Sequence, residues 1–258
     1  ILVGLEAGGH QPDLVSLHRD KIRQGMREFI SSLDSITRLN FYMTNKMKKN
    51  ISASVFKGTS PVFLSYFGLM GIVPCSLRSI DLESDGSIKY LTKEEISNSK
   101  KFKSGFVSLE IIFNDPVSGK NKYLYYFSKN ISNSGLENDS GLLEFVKKKG
   151  DFVSTFKAAS FLIHYNHFSK FKDFILDNAN VIIMDDTGPR VKELKKGFDL
   201  KVFGRYSRPI NLWPEMYQKE LMELHKEQKP DPIKFRYGYG TLNRTYHILY
   251  ARRKEKIP

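Results

Sequence analysis

The chain has 258 residues, long enough for one large α/β domain or two small ones. A hydrophobic fraction of 40%, with 13% aromatics, supplies a core and excludes a disordered chain. Lys and Arg number 41 against 28 Asp and Glu, a formal net charge of +13 that favours acidic partners. The clusters at Lys46–Lys49, Lys100–Lys103, Lys147–Lys149 and Arg252–Lys256 are scattered, however, and no recognition-helix or RNA-binding-sheet pattern accompanies them. The charge therefore reads as solvated surface, and nucleic acid is not the expected partner. Cys75 is the single cysteine, which excludes an internal disulfide and a zinc–thiolate cluster. No apolar run approaches the roughly 18 residues that would cross a bilayer.

In chain order, Ile1–Glu6 reads as a strand buried on both faces that ends in an acidic residue and the Gly8-Gly9 loop. An unanchored opening strand frays, so sequence upstream of Ile1 is expected. Pro12-Asp13 launches a helix through about Leu33, with Leu14, Leu17, Ile22, Met26, Phe29, Ile30 and Leu33 at helical spacing. Ile36–Met43 reads as a strand. Ser60-Pro61 starts a second helix that Gly71 stops.

The middle is rich in strands. Leu77–Leu82 and Ser87–Leu91 flank the turn signal Asp85-Gly86, and Phe106–Phe113 and Lys122–Phe127 flank a longer turn. Alternation around Leu109 predicts one wetter face, carrying Ser108 and Glu110. Asn130–Ser140 is a polar loop, and helical series follow at Gly141–Lys149, Ser154–Tyr165 and Phe168–Leu176. Val181–Met184 is a second buried strand ending in Asp185-Asp186-Thr187-Gly188-Pro189-Arg190, an echo of the first. The remainder predicts a strand at Leu200–Tyr206, a helix at Pro214–Glu227 and a hairpin of Ile233–Tyr239 with Thr245–Ala251. These elements compose an α/β fold with a mixed central sheet, flanking helices and antiparallel hairpins. No low-complexity linker divides the chain, so one compact unit over 1–258 is expected. A weak duplication of 1–74 and 141–210 would bracket the hairpin region 75–130.

Several stretches form an ordered set: Tyr125–Ser128, Ser134–Leu136, Lys157–His164, Asp185–Pro189, Phe203–Ile210, Tyr217-Gln218 and Tyr237–Gly240. In this order, and with Glu6 and Gly9 of the opening strand, they resemble a family of bacterial exported proteins. That family carries YYFS, SGL, KSASYLMH-type and QDDSG-P segments and has no assigned activity. Thr187 stands where serine is usual, Ala7 where proline is usual, and Met184 where glutamine is usual. The resemblance implies an upstream export or lipoprotein leader, and a periplasmic or lipid-anchored location at the cell envelope. It implies no chemistry.

Asp185-Asp186-Thr187-Gly188 is the leading site candidate, because carboxylates at the C-terminal end of a buried strand occupy a common ligand position. Neighbouring strand residues point to opposite faces, so the two would not converge on one metal; an Asx-type structural turn is the stronger reading. Glu6 ends the other buried strand, and parallel neighbouring strands would bring Glu6 and Asp185 to one sheet edge as an acid–base pair. Thr187, Arg190 and His164 complete the candidate binding set. His164 and His167 lie three apart but lack a third ligand, so no metal is expected. Ser160 in Lys157-Ala-Ala-Ser160 reads as a close-packing residue in a helix, and no cofactor motif is present. The expected function is a non-catalytic binding or envelope component with acidic envelope molecules or another protein as partner. The alternative is a hydrolase-like enzyme using Glu6, Asp185 and Asp186.

Overall fold

A computed structural model describes residues 1–4, 8–9, 17–39, 58–103, 105–157, 161–209, 213–235, 237 and 246–255. The chain is a mixed α/β protein with a five-stranded and a four-stranded sheet. It divides into two compact units: residues 1–35, 43–131 and 138–146, and residues 36–42, 132–137 and 147–258.

The first unit holds strands β1 (Leu2–Gly4), β2 (Pro74–Leu82), β3 (Ile88–Tyr90), β4 (Ser108–Asn114) and β5 (Asn121–Ser128), in the order β1-β5-β4-β2-β3. β1 runs parallel to β5, and the other pairings are antiparallel. Both expected hairpins form, the first around Gly86 at φ +81°, where the chain passes so close to Phe145 that a side chain would clash. One sheet face packs on the helix Ser60–Leu69 through Phe63 against Tyr126 and Phe67 against Phe113. Pro61 starts that helix and Gly71, at φ +68°, follows it, as expected.

Several expectations fail here for identifiable reasons. β1 is an edge strand with Ile1 and Leu2 exposed, so it is not buried on both faces. Ile36–Leu39 continues the helix Arg19–Leu39 and forms no strand; residues 40–43 lie outside the described residues. The expected wet face of β4 is dry: Ser108 and Glu110 are buried. Glu110 accepts from Arg78 Nε at 2.9 Å and Nη2 at 2.5 Å, while the Arg78 guanidinium lies 4.0 Å from the Tyr90 ring centroid. A paired carboxylate on that face thus imitates the solvent-facing period of an exposed strand. The helix Lys93–Asn98 goes unanticipated, although Thr92 and Glu95 form a capping box at its start. The polar segment after β5 contains a short helix, Asn133–Asn138.

The second unit holds β6 (Phe152–Phe156), β7 (Ala179–Met184), β8 (Phe198–Gly204) and β9 (His247–Arg253), in the order β6-β7-β9-β8. β6 is parallel to β7, and β9 is antiparallel to both of its neighbours. Ser154–Tyr165 is therefore not a helix. Phe152-Val153-Ser154-Thr155-Phe156 is a strand, rich in aromatic and β-branched residues, and Leu162–His164 is a single 3₁₀ turn. The hairpin expected of Ile233–Tyr239 with Thr245–Ala251 also fails, because β7 and β8 occupy both edges of β9 and residues 233–235 are not a strand. The helices Ser169–Asn178 and Lys219–Gln228 accompany the sheet.

β1 and β7 lie in different sheets. The single central sheet that would set Glu6 beside Asp185 on a common edge does not form, and Glu6 itself lies outside the described residues.

Candidate functional site

The site lies where β7 ends. Residues 179–184 form a strand because Val181, Ile182 and Ile183 favour the extended chain, and Ile182 and Met184 are wholly buried. Antiparallel pairing of Met184 with Leu249 is the last rung on the β9 side, and the chain then turns. Asp185 makes the turn. Its Oδ1 accepts from the Thr187 amide at 3.0 Å and from Thr187 Oγ1 at 2.5 Å, the Asx geometry anticipated for this sequence. Gly188 is required by space and not by a positive φ: an added Cβ would lie 2.3 Å from Met184 Sδ and 2.9 Å from its Cβ.

The loop is pinned from several sides. His164 Nε2 lies 2.8 Å from the Gly188 carbonyl, an arrangement in which the ring N–H donates. Gln218 donates from Nε2 to the Asp186 carbonyl at 2.9 Å and accepts the Val191 amide on Oε1 at 3.2 Å. The Arg190 amide donates to Glu193 at 2.8 Å, so the role of Arg190 here is to start the short helix Val191–Leu194. His167 is exposed and stacks on Tyr165. Ser160 lies outside the described residues.

Asp185 and Asp186 are 0% and 2% exposed, and their carboxyl groups have different partners. On the Asp185 side, Oδ2 has no hydrogen-bond partner among the described residues, nor does the buried hydroxyl of Tyr237. Burial raises the Asp185 pKa, opposed by the Thr187 bonds and by the charge of Lys157. Burial and the Asp185 charge likewise raise Tyr237.

On the other side, Asp186 meets residues from three further elements. Tyr206, just beyond β8, hydrogen-bonds to its carboxyl group, and the Tyr206 oxygen accepts the Gln218 amide at 3.1 Å. His247, the first residue of β9 and fully buried, places Nε2 3.7 Å from Asp186 Oδ1, too far for a hydrogen bond. His225, in the last turns of the helix Lys219–Gln228, meets His247 edge to face with centroids 6.1 Å apart. Tyr206 lies 4.7 Å from the His247 ring and 6.1 Å from the His225 ring. Asp186 Oδ1 and both His247 nitrogens are buried without a hydrogen-bond partner among the described residues. Burial pushes Asp186 well above its usual range, with the charge of Asp185 adding to the effect and the Tyr206 hydroxyl opposing it. Burial depresses His247 to about 3, helped by His225. It depresses His225 to about 4 against the pull of the Gly204 backbone. Both rings are neutral at pH 7, beside a carboxyl group that burial favours in its neutral form.

The residues singled out in the sequence thus have distinct placements. Asp185, Asp186 and Thr187 form the loop, His164 braces it, Arg190 leads out of it, and Glu6 is not described. Sequence reasoning missed His225 and His247 as members. Tyr206, Gln218 and Tyr237 did stand inside the segments that carry the family resemblance. Among the described residues no group of three or more His, Cys, Asp or Glu is arranged to hold a metal ion. No protein-family model, curated protein or solved structure matches the chain.

Proposed function

We propose that the chain is a non-catalytic binding component of a bacterial cell envelope, exported to the periplasm or lipid-anchored. The observation that carries the non-catalytic part is that Asp185 and Asp186 have different partners. Asp185 is engaged in an Asx turn and Asp186 faces Tyr206 and His247, so these two carboxyl groups do not share one reacting centre. An acid–base hydrolase needs two carboxyl groups, or a carboxyl and a base, reaching one substrate atom. The envelope location rests on the family resemblance alone. An acidic partner follows from the formal charge of +13.

Retention on an immobilised acidic polysaccharide, with elution by salt, tests the binding role, and fractionation of producing cells tests the location. Salt-sensitive retention and recovery outside the cytosol are expected. Passage through the matrix at low salt, or purely cytosolic protein, removes the respective half of the proposal. The hydrolase alternative draws on one observation, the Asp186–His247 approach at 3.7 Å beside a carboxyl group with a strongly raised pKa, a pattern enriched at active sites. Its discriminator is whether Asp186→Asn strengthens the fold, as relief of a strained site does.

A further inference from the structure

We propose that His225, His247 and Asp186 form an acid-operated latch that releases the helix Lys219–Gln228 from the four-stranded sheet. The argument begins with cost. Asp186 Oδ1 and both nitrogens of His247 are buried without hydrogen bonds among the described residues, beside the buried His225 ring, and each such atom is expensive to keep from water. They are gathered from the end of β7, the start of β9 and one helix, so the same residues that pay this cost span the sheet-to-helix contact. The helix buries Leu221 and Leu224 beside His225, and those apolar contacts hold it down at neutral pH.

Protonation changes the balance. The two rings lie 6.1 Å apart edge to face, so a charge on one repels a charge on the other. Among the described residues, Asp186, His225 and Tyr206 face His247, and His247, Tyr206 and the Gly204 backbone face His225. Asp186 itself faces Asp185, Tyr206 and His247, and Tyr206 also stacks on Tyr217. The nearby cation, Lys157, acts on Asp185, which in turn faces Tyr237. Asp186 approaches His247, and at 3.7 Å it makes no hydrogen bond to it. An imidazolium is therefore poorly compensated inside and well solvated outside, and acid favours the open helix.

The magnitude follows from proton counting. With ordinary imidazole behaviour in the open state, uptake of two protons raises the opening constant about 60-fold between pH 6 and pH 5. If Asp186 surrenders a proton on opening, that rise falls to about 6-fold. The range sets the test. In a Cys75→Ser background, Leu224→Cys places a thiol on the buried face of the helix, and labelling by 4,4′-dithiodipyridine reads its exposure. The labelling rate, normalised to an unfolded control at each pH, is expected to rise at least about 6-fold from pH 6 to pH 5. Adding Asp186→Asn moves the rise toward about 60-fold, and adding His225→Gln with His247→Gln abolishes it. A flat profile, or an undiminished rise in the double histidine variant, overturns the latch. Should those variants fail to fold, NMR titration of the imidazole rings in the unaltered protein decides the matter. Rings that stay neutral down to the pH of opening support the latch, and a ring that protonates near pH 6.5 in the closed fold overturns it.

Discussion

Replacing Asp185 with asparagine and, separately, with alanine tests whether the loop after β7 is a structural turn. Both changes remove the same buried carboxylate charge and the same attraction to Lys157, so those effects cancel when the two variants are compared with each other. What remains is the turn. Asparagine keeps an oxygen where Oδ1 now accepts from the Thr187 amide at 3.0 Å and its hydroxyl at 2.5 Å; alanine removes both acceptor contacts inside a fully buried loop. At about 1 kcal/mol per hydrogen bond, and more where a buried donor is stranded, alanine should be less stable than asparagine by about 2 to 4 kcal/mol. Against the native protein, asparagine should lie within about 1 kcal/mol, because its new amide replaces an oxygen that already lacks a partner. Trp213, the single tryptophan, packs on Phe161 within the same unit, so its fluorescence during urea unfolding reports this unit directly. Equal stability of the two variants would refute the turn. Both proving more stable than the native protein would point instead to a strained, functional carboxylate.

Four further outcomes are expected. Gly188→Ala should cost about 1 to 3 kcal/mol through its clash with Met184, read by thermal melting, and Met184→Ala should relieve part of that cost. Gln218→Leu strands the Asp186 carbonyl and the Val191 amide, and urea unfolding should show a loss of at least about 2 kcal/mol. Arg78→Met should destabilise the first unit in urea unfolding by leaving the buried Glu110 poorly paired, while Arg78→Met with Glu110→Leu should recover most of the loss. For pH, the folded state depresses His225 to about 4 and His247 to about 3, so their contribution is present above pH 6.5 and is lost as pH falls toward those values. The raised carboxyl groups act in the opposite sense, contributing below their ordinary pKa and losing that contribution as pH rises. Asp186→Asn removes one opposing contribution, so equilibrium unfolding between pH 6.5 and 4.5 should show a steeper loss of stability on acidification than in the native protein.

The elements that local chemistry dictates were legible in the sequence. Asp85-Gly86 encodes its hairpin because glycine accepts the positive φ, Ser60-Pro61 and Gly71 bracket a helix, and Asp185 makes an Asx bond to the Thr187 amide. Elements decided by tertiary partners were not. Phe152–Phe156 sits next to sequence with good helical spacing, and only pairing with β7 makes it a strand. Glu110 occupies a solvent-like position in its strand pattern, yet Arg78, on the neighbouring strand, permits its burial. The histidine cluster was invisible for the same reason. His225 and His247 come from a helix and a strand joined by a long connection, with no fixed spacing to Asp186, and only the order β6-β7-β9-β8 brings them together.

That strand order also constrains the sequence of events during synthesis. β7 and β8 never touch each other; β9, the strand made last of the four, is the wedge between them. Until residues 247–253 have emerged, β7 has β6 on one side and a bare hydrogen-bonding edge on the other, and β8 has no strand partner in its sheet. A ribosome-bound chain stopped short of β9 would display two sticky edges. Completion of the four-stranded sheet therefore waits for residues 247–253, and the shorter chain is the more exposed to edge-to-edge association.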